Sequence, residues 1–141
     1  MRIIGFNLTK IMIERKENIQ GQLKINQNID IKDIKKENIP ISKDEAIKIY
    51  FNFKIDYSEE SAKLNFEGNI LALPDKNESE QILSSWEDKK LPDGIRIGLF
   101  NFLMNKCNIK ALNLEDDMGL PYHIPMPKIT PENMQSAQNK D

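Results

Sequence analysis

A chain of 141 residues with 39% hydrophobic and 30% charged residues makes one ordinary domain, large enough to bury a core without covalent staples. Its 20 bases and 22 acids give a formal net charge of −2, and they are interspersed, which lacks the basic excess or stripe of a protein that grips nucleic-acid backbones. Nucleic acid is therefore not an expected partner. Cys107 is the single cysteine, so no disulfide closes within the chain and a reducing compartment is expected. No apolar run approaches the roughly 20 residues of a membrane span, and Asn7 and Lys10 interrupt the start too early for a secretory leader. The expected location is the cytoplasm.

Residues 2–15 predict a first strand with a parity problem. Ile4, Phe6 and Leu8 share one parity and Ile11 and Ile13 the other. One extra residue near Thr9 and Lys10 returns both sets to one face, because a bulge flips the alternation; burial of both faces is the competing explanation. Residues 16–22, with Gly21, predict a polar turn. Leu23, Ile25, Ile29 and Ile31 then alternate with polar residues, while Gln27 interrupts the apolar face, as in an edge strand or one leaving the core. Residues 39–44, with Pro40, form the expected connection onward, since proline has no amide to donate to a central ladder.

The clearest signal is at 45–73. Ile47, Ile49, Phe51, Phe53, Ile55 and Tyr57 occupy every second position, and Leu64, Phe66, Gly68, Ile70 and Ala72 repeat the pattern beyond the break at 58–61. Alternation places these on one face of a hairpin, leaving the other face wet. The period changes after Pro74. Asn77 and Glu80 suggest a capping box, and Ile82, Leu83 and Trp86 follow at helical spacing. Pro92 and Asp93 suit the start of a second helix, on which Ile95, Leu99, Phe102, Leu103 and Cys107 recur every three or four residues. Asn108 is a place where that helix could bend or restart, and Gly119 is a natural left-handed stop. Pro121, Pro125 and Pro127 forbid helix beyond it, so 119–129 predicts an extended, polyproline-like arm, followed by a polar, disordered tail at 130–141.

Strands first and helices afterwards give an α+β class. The expected architecture is a four-stranded antiparallel, meander-like sheet followed by two or three helices on one face, all in one domain spanning 1–129.

Chemical signatures are sparse. Cys107 on the apolar helix stripe reads as a core residue, and nothing in the sequence brings it to His123, the only histidine. His123 with Asp116 and Asp117 supplies metal-ligand types without paired ligands at fixed spacing. No glycine motif cradles phosphate, and Gly94 and Gly98 read as a close helix contact. No enzyme activity, metal or cofactor is expected. The arm differs in kind: Leu120, Tyr122, Ile124 and Met126 alternate with Pro121, His123, Pro125 and Pro127 on a pre-restricted backbone. It either covers its own fold or offers a partner-binding strip, to which the surplus apolar residues Ile11 and Ile13 of the first strand are added as candidate contacts.

The order of these stretches, Ile47 to Tyr57, Leu64 to Leu73, and Ile95 to Cys107 leading into Gly119-Leu120-Pro121, resembles the SecB-like export chaperones. The closing run from Cys107 to Lys128 is also similar to small archaeal proteins that end alike. The SecB-like resemblance implies a homo-oligomer that holds unfolded chains without ATP, on apolar surface of the sheet and beneath the helices. The chain departs from it in ending with a proline-rich arm where SecB-type proteins place another helix, and in being only mildly acidic; no family residue is carried over. The leading expectation is a non-enzymatic protein binding unfolded or extended polypeptides. A structural accessory subunit of a larger cytoplasmic assembly, ribosome- or secretion-associated and docked through the arm, is the alternative, and a small enzyme using His123 and Cys107 is third.

Overall fold

The computed structural model describes residues 1–39 and 45–132. Four strands, β1 (Arg2–Arg15), β2 (Ile25–Asn38), β3 (Glu45–Tyr57) and β4 (Ala62–Leu73), precede two helices, α1 (Lys76–Trp86) and α2 (Asp93–Asp117). The strands form one antiparallel sheet in the order β1-β4-β3-β2. The expected meander describes β2, β3 and β4, whereas β1 lies beyond β4, which makes the sheet a Greek key. The connection at 16–24 makes this possible by skirting the β3–β4 turn: Lys16 N donates to Ser61 O (2.8 Å), and Ser58 N donates to Lys24 O (2.8 Å).

The alternation at 45–73 becomes the centre of the core. Ile47, Ile49, Phe53, Ile55, Leu64, Phe66 and Ile70 are all buried. Phe53 stacks on Phe66 at 5.4 Å, and Phe6 on Phe51 at 5.7 Å. The β1 bulge falls where parity demands it: Leu8 pairs with Gly68 and Lys10 with Glu67, so Thr9 is the inserted residue. Ile11 and Ile13 thereby join Phe6 and Leu8 on the inner side, opposite Phe66 and Leu64. A further insertion in β1, at Ile4 between Ile3 opposite Ala72 and Gly5 opposite Leu71, leaves Ile4 exposed rather than on the face of Phe6 and Leu8. In β2 an insertion at Lys32 makes Asp33 pair with Tyr50 and Ile34 with Ile49, bringing Ile34 into the core.

The capping box of α1 lies two residues ahead of the predicted position. Asp75 accepts from Glu78 N (2.8 Å), and Glu78 Oε1 accepts from Asp75 N (3.0 Å). These contacts, with the Met1 amine at 2.9 Å, hold the Glu78 carboxyl below its usual range. Pro92 occupies the N-cap of α2, which runs unbroken through Asn108. Leu99, Leu103, Cys107, Ala111 and Glu115 are its buried positions, a row in steps of four. The opposite sheet face is polar, with Asn52 Nδ2 donating to Asn65 Oδ1 (2.8 Å). Residues 40–44, including the expected Pro40 connection, and 133–141, most of the expected tail, lie outside the described residues.

Candidate functional site

Two features stand out above this core: a buried polar chain that fastens the segment after α2, and an open groove beside β2. The first begins where the helix stops. Gly119 takes a left-handed φ of 62°, and Leu120 N returns to Glu115 O (2.9 Å). Arg15, at the end of β1, donates from Nη1 to Met118 O (2.8 Å) and Gly119 O (3.3 Å), placing a cation at the negative end of the helix.

Glu115 continues the buried row of α2 although it is a carboxylate. Its side chain is wholly inaccessible, so its oxygens need donors. They receive them from the His123 amide (3.1 Å), from His123 Nδ1 (2.6 Å) and from the Tyr57 hydroxyl. That hydroxyl is shared with Pro121 O at 2.6 Å, and burial, reinforced by Glu115, pushes the phenol's pKa above its ordinary range. On its other edge His123 Nε2 lies 2.8 Å from Asn108 Oδ1, and that oxygen accepts from Gln27 Nε2 (3.0 Å). The polar interruption of β2 and the doubtful helix residue Asn108 thus belong to one network. The imidazole is 1% exposed and lies edge-on to Phe53 at 6.4 Å.

This arrangement is an anchor. No substrate reaches a His–Glu pair so enclosed. The metal candidates separate: both His123 nitrogens are engaged, and Asp116 accepts from the Tyr122 hydroxyl (2.7 Å). Among the described residues no group of three or more His, Cys, Asp or Glu is placed to hold a metal. Cys107 is buried, and burial pushes its thiol up to about 12, far from a reactive thiolate at neutral pH.

The second feature is a groove of about 410 Å³ between β2 and the α1–α2 connection. Ile29, Ile31, Trp86, Leu91 and Phe100 give it an apolar lining, with Asp30, Asp93 and Arg96 at the rim. Lys89 lies 5.0 Å from the Trp86 ring centre and Arg96 5.9 Å from that of Phe100, so each partly buried ring also carries a flexible cation. β2 is an edge strand, and an edge carries backbone donors and acceptors that another extended chain can pair with. A second cavity, of about 580 Å³, lies at the ends of β1, β3 and β4. Among its lining charges Lys63 pairs with Glu14 (3.7 Å) and Lys16 donates to Glu59 O (3.0 Å).

The six contact residues expected from sequence fall on two features. Ile11, 46% exposed, and Ile13, half-buried, sit on β1. Leu120 belongs to the core, Tyr122 is exposed, Ile124 is half-buried and Met126 is 48% exposed. Residues 120–130 carry neither helix nor strand. Sequence reasoning missed Glu115 and the groove. The signal for Glu115 was its place one step beyond Ala111 on the helix stripe; the groove joins residues about 60 positions apart and leaves no periodic trace.

An open four-stranded antiparallel sheet followed by two helices is a SecB-like fold. Among solved structures it is similar to the Mycobacterium tuberculosis SecB-like chaperone in complex with a ChAD peptide from the HigA1 antitoxin, with a TM-score of 0.55 over 92% of this chain and 91% of that one. Identity is 14%, so the likeness is one of fold. No family model and no curated protein matches the chain. No helix among the described residues is long and apolar enough to cross a membrane.

Proposed function

We propose that this chain is a non-enzymatic polypeptide-binding protein, a SecB-like holdase for unfolded or extended chains, and that the groove beside β2 is where it holds them. The observation that carries this reading is the pairing of apolar lining with an unpaired strand edge, on a fold similar to that of a chaperone solved in complex with a peptide. A client segment would pair its backbone along β2 and set alternate side chains against Ile29, Ile31, Trp86 and Phe100, displacing Lys89 and Arg96 from the rings. The exposed Ile11 and the arm residue Tyr122 extend the candidate surface. A homo-oligomer acting in the cytoplasm without nucleotide or cofactor completes the proposal; the single buried thiol and the SecB-like fold support it.

The test is a fluorescence-anisotropy titration with reduced, carboxymethylated α-lactalbumin, which stays unfolded, beside the native protein. The unfolded form binds and the native form does not. Phe100→Asp weakens binding about tenfold, the ordinary cost of losing one enclosed aromatic contact. Equal indifference to both forms, with no suppression of client aggregation, refutes the reading. Capture of one partner at fixed ratio, with no unfolded clients, would return the accessory-subunit alternative.

A further inference from the structure

We propose that residues 124–129, Ile-Pro-Met-Pro-Lys-Ile, are an occupant of the groove: a strap, lying open in this structure, that can close over Ile29, Ile31, Trp86 and Phe100 in competition with a client. This rests on the groove being the client site. The anchor comes first. Pro121 O and both the amide and ring of His123 are fixed by Tyr57, Glu115 and Asn108, while from Pro125 onward the chain is exposed. Met126 and, at 79% exposure, Ile129 hold their apolar side chains in solvent. Both would lose that exposure on docking against an apolar surface.

Position selects that surface. The His123 ring shares Asn108 Oδ1 with Gln27. On β2, Gln27, Ile29 and Ile31 lie on one face, opposite Ile55, Phe53 and Phe51 of β3. The groove therefore opens one same-face step from the anchor, about 7 Å along a strand. Six residues in a polyproline conformation span about 19 Å, enough to bring both Met126 and Ile129 to Ile29 and Ile31. The chemistry also matches. Pro125 and Pro127 restrict the backbone beforehand, which lowers the entropy lost on docking, and aromatic-lined grooves receive proline-rich extended segments. Met supplies an adaptable side chain for the space between Trp86 and Phe100. Strap and client need the same apolar surface, so occupation by one excludes the other.

Two measurements on the full chain test this. Met126→Asp with Ile129→Asp removes the strap's apolar contacts and leaves the anchor and groove untouched; affinity for unfolded α-lactalbumin rises at least threefold. Leu91→Cys with Met126→Cys forms an intramolecular disulfide on mild oxidation, since Cys107 is buried, and saturating client slows it. Unchanged affinity together with no cross-link overturns the strap, and so does a cross-link that joins two chains. If no variant binds unfolded α-lactalbumin but the intramolecular cross-link forms, the strap stands and the client reading fails.

Discussion

Replacing His123 by Phe keeps the volume of the ring and its edge-on contact with Phe53 but removes both nitrogens. Glu115 then loses its Nδ1 donor at 2.6 Å and Asn108 its partner at 2.8 Å. The carboxylate stays fully buried with only the His123-position amide and the Tyr57 hydroxyl. A hydrogen bond to a charged group contributes about 1.5–3 kcal/mol, and an orphaned buried acceptor costs a similar amount, so the expected loss is about 2–3 kcal/mol. For a domain of this size that lowers Tm by roughly 10 °C. The assay is urea unfolding followed by circular dichroism, with the midpoint falling and the m-value unchanged. Glu115→Leu combined with His123→Phe costs less than the sum of the two single changes by at least about 1 kcal/mol, because an apolar pair leaves no unmatched charge. A His123→Phe protein within about 0.5 kcal/mol of the parent, or strictly additive singles, would refute the anchoring role.

Gly68→Ala puts a Cβ 2.2 Å from the Asn7 carbonyl oxygen and 3.1 Å from Leu8 Cα. Backbone on β1 must yield, so stability falls by about 3 kcal/mol and β1 amides lose protection from hydrogen exchange before those of β3. The turn between β3 and β4 places Glu59 and Glu60 at φ of 58° and 56°, a conformation that suits Asn-Gly; Glu59→Asn with Glu60→Gly raises stability by about 1–2 kcal/mol in the same unfolding assay. The thiol of Cys107 resists iodoacetamide in the native state and reacts on unfolding. Because its folded pKa is raised from 9.0 to about 12, its contribution to stability is whole below pH 9 and is lost as pH rises toward 12. Cys107→Val removes this part of the alkaline fall in a Tm-against-pH series, leaving the part due to Tyr57, which begins above its ordinary value of 10.0.

Much of the fold was legible because side-chain periodicity records which face each residue shows. Ile47 to Tyr57 and Leu64 to Ala72 announced the hairpin; the parity change after Leu8 announced the bulge at Thr9; Leu99, Leu103 and Cys107 announced the buried face of α2; and Gly119 announced its end. The capping box was misplaced because Asn77-x-x-Glu80 and Asp75-x-x-Glu78 offer the same local chemistry, and Asp75 is the one whose backbone is extended, as an N-cap requires, while Asn77 lies inside the helix. The candidate site was less legible. Gln27 looked like a fault in an apolar face and Asn108 like a bend in the helix, Glu115 drew no notice, and only their meeting with His123 shows one cause for all three.

The sequence by itself determined the elements and their inward faces, since alternation and helical spacing are local consequences of backbone geometry. Tertiary structure decided which strands are neighbours. Any apolar strand face could have covered the same hydrophobic strip, and it is the path of residues 16–24 around the β3–β4 turn that sends β1 to β4 and leaves β2 at an edge. The anchor and the groove were decided there too. Gln27 and His123, like Ile29 and Phe100, have no relation in sequence; they meet because α2 crosses the inner face of the sheet, where burial of its apolar row outweighs every local preference.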